Sequence, residues 1–176
     1  MAVSPKLISI IPNEGELLVD GQTRDVAPRE LTFRFSEGQI IDPSSLGGIQ
    51  IVRSGFDGAI GNGSDVFITP GYIGIGDRPN EVVARFADAL PDDLYQIRII
   101  GLGASALKNT EGDVFNDGAD VTVRFEMDLG AQVIAVVPQP VTRLANGSLS
   151  GLCLNASWPS ALSLSTQHGV TTMHRA

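Results

Sequence analysis

Between Met1 and Gly130 the chain has no cysteine, no histidine and no tryptophan. No disulfide supports a fold there, and the compartment cannot be read from redox chemistry. Serine-triad, cysteine-nucleophile and histidine-based zinc mechanisms each need a residue type that this segment does not contain. Carboxylate chemistry is what remains, with Asp92 and Asp93 together in what reads as a tight turn. A glycosidase would also want aromatic sugar platforms, and no tryptophan is there to provide one. The segment therefore reads as non-enzymatic.

Acid is missing elsewhere. All twenty Asp and Glu lie at or before Asp128, with ten of the twelve Lys and Arg, which leaves −10 on that part. From Leu129 onward the only charged side chains besides histidine are Arg143 and Arg175. One domain rarely divides its charge so sharply, so a boundary is expected near Gly130. The acidic part has no basic stripe to neutralise phosphates, which argues against nucleic acid and anionic lipid as partners. No run of apolar residues reaches transmembrane length, so no membrane insertion is expected. "MAVSPKLISIIP" has one Lys and too short an apolar run for a signal peptide.

What is present is period-two alternation. In "ELTFRFSE", Leu31, Phe33 and Phe35 point one way, and Thr32, Arg34 and Ser36 the other. "DVTVRFEMD" repeats the pattern with Val121, Val123, Phe125 and Met127, "EVVARFAD" with Val82, Ala84 and Phe86, and "LYQIRIIG" with Tyr95, Ile97 and Ile99. "GIQIVRSG" adds Ile49 and Ile51, "KLISIIP" adds Ile8 and Ile10, and "DVFITPGYIGIG" reads as a seventh strand. Alternation of this kind puts one face on a core and the other in water. Between the strands lie turns dense in Gly, Pro, Asn and Asp. The implied fold class is all-β: an antiparallel Greek-key β-sandwich of about seven strands, followed by a poorly structured tail; the Ig-like type of that sandwich is what the family resemblance given below implies. "DPSSL" reads as a single helical turn capped by Asp42 or Ser44. Tyr95 comes after the turn "LPDD", where such sandwiches place a tyrosine whose hydroxyl ties back to the chain.

An internal repeat organises the rest. "LISIIPN" (7–13) and "VIAVVPQ" (133–139) match in character at seven positions, offset by 126 residues. A second copy thus opens near Gln132. The strand due at the matching offset falls on "SWPSALS", which Pro159 interrupts. Three parts are expected: the sandwich over 1–130, the start of a truncated repeat over 131–150, and a disordered or non-native tail over 151–176. A frame shifted near Ser150 would account for that tail, which makes the chain a fragment of a longer reading frame. Cys153, His168 and His174 lack metal-ligand spacing and are assigned no function, and neither is Trp158. Asn62, Asn146 and Asn155 sit in Asn-x-Ser sequons, motifs short enough to arise by chance.

Two motifs need weighing. Gly101, Gly103 and Ala106 fit a dinucleotide-binding spacing, but the site requires a helix next, and turn residues come instead. The second is calcium. Asp57, Asp65 and Asp77 lie in Gly-rich loops, as do Asp113, Asn116, Asp117 and Asp120. Clustered carboxylates and amides on loops are the donor set calcium takes, yet neither group has EF-hand spacing and hairpin turns use the same residues. No cofactor is expected, with a calcium ion on these loops as the alternative.

"SIIPNEGE", "ELTFRFSEGQIIDPSSLGGIQI", "ALPDDLYQIRIIG" and "NTEGDVFNDG" before "VTVRFEMD" together resemble bacterial Ig-like domains of the S-layer-protein type. The family resemblance covers 6–130 and opens again from Gln132. It implies a structural or adhesion-type module of a large exported bacterial surface protein. It also implies an extracellular or cell-surface location and neighbouring Ig-like modules as partners, with cell-surface protein or polysaccharide beyond them. It supplies no catalytic residue. The alternative is a calcium- or polysaccharide-binding module using the Gly/Asp-rich loops, with Tyr72 as a sugar platform.

Overall fold

The computed structural model describes residues 3–130 in full, and the backbone alone at most of 142–143, 145, 149–150, 162–167 and 170–175. The chain divides into two compact units, Met1–Gly130 and Ala131–Ala176.

The first unit is the sandwich. One sheet has the order β1(Leu7–Pro12), β3(Glu30–Phe35), β7(Glu81–Arg85), β6(Tyr72–Ile75). The facing sheet runs β2(Gln22–Arg24), β9(Val121–Met127), β8(Asp93–Ile99), β4(Ile49–Arg53), β5(Val66–Phe67). This is the Ig arrangement, four strands against five, with the outer strands β2, β5 and β6 short. Every ladder is antiparallel except β2 on β9, which run parallel from Gln22↔Phe125 to Arg24↔Met127.

The alternating residues close the core. Leu31, Phe33, Phe35, Tyr95, Ile97 and Phe125 are buried, while Arg98 and Arg124 face solvent. Tyr95 and Phe125 are cross-strand partners whose rings stack at 5.1 Å. Phe35 meets Phe115 edge-on at 5.9 Å. The Tyr95 hydroxyl donates to the Pro91 carbonyl at 2.8 Å, fixing the corner before β8. Asp42 accepts from the Ser44 amide at 2.8 Å and caps the short 3-10 helix Pro43–Gly48.

Four details differ from the sequence reading. Nine strands form rather than about seven. "DVFITPGYIGIG" splits around Pro70 into β5 and β6, which join different sheets, and the three-residue β2 is too short to show alternation. Ile8 is 63% exposed, because a bulge between Leu7 and Ser9 puts an extra residue in β1 and turns Leu7 to the core. Val123 is only half-buried, since β2 flanks β9 from Phe125 onward and leaves its first half at the sheet edge. Arg34 is half-exposed rather than free, held by Glu81 at 2.9 Å.

The chain enters and leaves this unit at opposite poles. Asn116, just before β9, donates its amide to the Pro5 carbonyl at 2.9 Å, and Asp117 holds Ser4 and Lys6. The start of the chain is therefore pinned beside the start of β9, and the exit at Gly130 lies past the far end of β9. Seven extended residues separate the two by about 23 Å.

In the second unit, Thr142–Arg143 pairs with Leu149–Ser150, and Leu162–Gln167 pairs with Val170–Arg175, both antiparallel. The sequence reading includes neither pair. Cys153, Trp158 and His168, and most of the expected repeat start and tail, lie outside the described residues.

Candidate functional site

The loop acids fold to separate places, and those other than Asp77 accept hydrogen bonds from the protein itself. In the 54–65 loop, Asp57 accepts from the Ser64 hydroxyl, the Ala59 amide (2.9 Å) and Asn62 Nδ2 (2.8 Å). Those donors, the Ser64 hydroxyl first, hold its carboxyl below the usual range. Asp65 accepts from the Gly61 amide at 2.8 Å. Gly55, at φ 73°, is required here: a Cβ would lie 2.2 Å from the Ser64 carbonyl oxygen, where the two arms of the loop meet.

At the other pole, Asp113 accepts from Asn109 Nδ2 at 3.2 Å. Asn116 and Asp117 both take left-handed backbone conformations, φ 48° and 55°, in the turn leading to β9. Asp117 is lowered by the Ser4 hydroxyl first and by Lys6 after it. Asp120 accepts from the Gly101 amide at 2.8 Å and from Arg98 Nε at 2.9 Å, and both lower its carboxyl. Asp77 is exposed in the turn between β6 and β7. Among the described residues no three or more His, Cys, Asp or Glu converge as metal ligands.

The most densely bonded carboxylate is Asp93, whose side chain is 1% exposed. Its Oδ1 accepts from the Ser54 hydroxyl and the Leu94 amide (2.8 Å). Its Oδ2 accepts from Arg53 Nη1 (3.0 Å) and from the Gly55 and Phe56 amides (3.1 Å each). Burial alone would raise its carboxyl, but the Ser54, Arg53, Leu94 and Phe56 donors outweigh it and the net shift is downward. Burial pushes the neighbouring Tyr95 hydroxyl up, and the Asp93 charge adds to that. The sequence reading placed Asp93 in a turn with Asp92. It did not see that "RSGF", forty residues earlier, supplies the donors.

Asp93 shapes an open groove of about 430 Å³ beside it. Phe56, Leu94 and Met127 form its apolar part, and Asp92, Glu126 and Asp128 its acidic part. Phe56 is 69% exposed at φ 72°, a conformation rare for an aromatic residue, with the Arg53 guanidinium 4.4 Å from its ring centre. Asp92 and Asp128 are partly spent on the chain exit, accepting from the Leu129 and Gly130 amides. Neither exposed Phe56 nor its backbone has a signal in the alternation pattern.

The remaining sequence candidates resolve simply. After β8, Gly101 and Gly103 run into bends and not into a helix. Gly101 is there because a Cβ would sit 2.4 Å from the Ala119 carbonyl oxygen. Tyr72 is half-exposed, with the Arg85 guanidinium 5.3 Å from its ring centre, and Arg85 in turn pairs with Glu30. No helix among the described residues is long and apolar enough to cross a membrane.

No protein-family model and no curated protein matches the chain. Among solved structures it is similar to the methionine-rich copper resistance protein PcoC from Escherichia coli, at TM-score 0.43 and 15% identity, over 72% of this chain and 100% of that one. It is also similar to domains 1–6 of the surface layer protein SbsC, at TM-score 0.43 and 16% identity, over 93% of this chain. The N-terminal part of the bacterial S-layer protein SbsC gives TM-score 0.42 and 15% identity. The chain spans 20% of the first SbsC structure and 37% of the second. Likeness at this level carries no activity, ligand or location to this chain.

Proposed function

We propose that residues 1–130 are a non-catalytic structural or adhesion-type module of a larger bacterial surface protein, working outside the cell among neighbouring Ig-like modules. The observation that carries this reading is where the chain enters and leaves this unit. Entry is pinned at Pro5 to Asn116 and exit lies past Met127, so the module spans its own length between its two connections. Copies joined end to end would extend and not fold back. The ordered series of loose motifs from "SIIPNEGE" to "VTVRFEMD" supports the same reading. So does the use of loop carboxylates as turn fasteners.

A fusion of two copies of residues 1–130 joined through the native 128–132 segment tests it. Small-angle scattering should give a maximum dimension about twice that of a single copy. A compact, folded-back pair would sink the spacer role. A glycan-array hit on the intact chain would move the reading to a carbohydrate-binding module instead.

A further inference from the structure

One exposed peptide link in the 54–65 loop is set up for chemistry on itself. Asn62 and Gly63 are both exposed, and the Asn62 side chain curls over the next peptide. Its Oδ1 accepts from the Ser64 amide at 3.0 Å, the side-chain turn that Asn forms two residues on. This carries Cγ towards the Gly63 nitrogen. The same N–H polarises the side-chain carbonyl in the sense that stabilises an oxyanion on Oδ1. Nδ2 is held by Asp57 at 2.8 Å, which fixes the orientation of the amide. Gly63 presents no side chain to hinder the approach.

From this geometry we infer that Asn62–Gly63 is a self-modifying site. The Gly63 nitrogen attacks Asn62 Cγ, the new bond closes a succinimide ring, and the Cγ–Nδ2 bond breaks. Nδ2 leaves as ammonia, carrying the proton given up by the Gly63 amide. Water then opens the ring at either carbonyl and leaves aspartate or isoaspartate at position 62. The sequence alone offers two Asn-Gly links, at 62–63 and 146–147. The first has the side-chain geometry just described, and the second lies outside the described residues.

The product changes the loop. Asn62 supplies Asp57 with a hydrogen-bond donor, and a carboxylate in its place faces Asp57 with like charge. The contact that helps hold the arms of the 54–65 loop together becomes a repulsion. Isoaspartate also lengthens the backbone there by one carbon. The site thus acts as a slow clock on this loop, advanced by pH through loss of the attacking amide proton.

Gly63 makes the idea testable without harming the fold. A Cβ there meets nothing within 4 Å, and its φ lies outside the left-handed region, unlike Gly55, Gly58 and Gly61. The full chain would be aged at neutral and at mildly alkaline pH and mapped by tryptic mass spectrometry. The peptide starting at Ser54 should gain about one dalton and split into aspartate and isoaspartate forms, faster at the higher pH. Gly63→Ala should slow this at least about tenfold by hindering the approach, with an unchanged melting temperature. Two results would overturn the inference: a Ser54 peptide that stays intact while the peptide holding Asn146 converts, or conversion in Gly63→Ala at the native rate.

Discussion

The two poles of the sandwich use the same residue type for different work. At the exit pole Asp93 is buried under five donors and sets the backbone of residues 53–56, including the outward turn of Phe56. At the entry pole Asp117 and Asp120 are exposed or nearly so, and hold the first residues of the chain and Arg98 from outside. Burial makes the difference. A desolvated carboxylate stripped of its partners, or partners stripped of it, cannot turn to water for replacement hydrogen bonds, whereas an exposed one can. The exit pole should therefore be the brittle end and the entry pole the tolerant one.

Removing Asp93 tests that contrast hardest. Asp93→Ala leaves Arg53, the Ser54 hydroxyl and two loop amides without their acceptor, and should destabilise the fold by about 3–5 kcal/mol in chemical denaturation. A loss under about 1 kcal/mol would show that water reaches the site and that the poles do not differ. Acid should act along the same line. The Asp93 carboxyl lies below its ordinary value in the fold, so its contribution is complete above the unfolded value near ~4 and is lost as pH falls through the folded one. The melting temperatures of the native chain and of Asp93→Asn should hence converge as pH drops below about 4. A gap that stays constant into strong acid would mean the carboxylate charge is not what counts.

Smaller effects belong to the entry pole. Asp120→Ala should cost under about 1 kcal/mol, since solvent screens its pair with Arg98 and can reach the Gly101 amide. A cost matching that of Asp93 would erase the distinction. Calcium at millimolar concentration should leave the melting temperature unchanged, because the loop acids of both poles already face donors of their own chain. A rise would restore Asp57, Asp65, Asp113, Asn116, Asp117 and Asp120 as ligands. Last, deleting residues 131–176 should shift the melting temperature of the sandwich very little. A large drop would mean that the exit pole depends on residues beyond Gly130.

The strands were legible because a half-buried sheet needs period-two alternation, and Leu31–Phe35 and Val121–Met127 show it in single runs. The Asp42 cap and the Tyr95 corner were legible too, since both act within four residues of themselves. Ile8 misled because a bulge has no signature in a six-residue strand. The Asp93 hub was hidden for a different reason. "LPDD" and "RSGF" are ordinary turn sequences until the pairing of β4 with β8 sets them side by side.

By itself, then, the sequence determined what short-range periodicity and composition can carry. That covers the sandwich class, the inward faces of its main strands, and the lack of histidine and cysteine in residues 1–130. Tertiary structure alone decided which carboxylates are buried, where Phe56 points, and that the chain enters and leaves at opposite poles. Each of these depends on contacts between residues 37 to 113 positions apart. Hydrophobic patterning chooses the face of a strand but leaves its partner strand open.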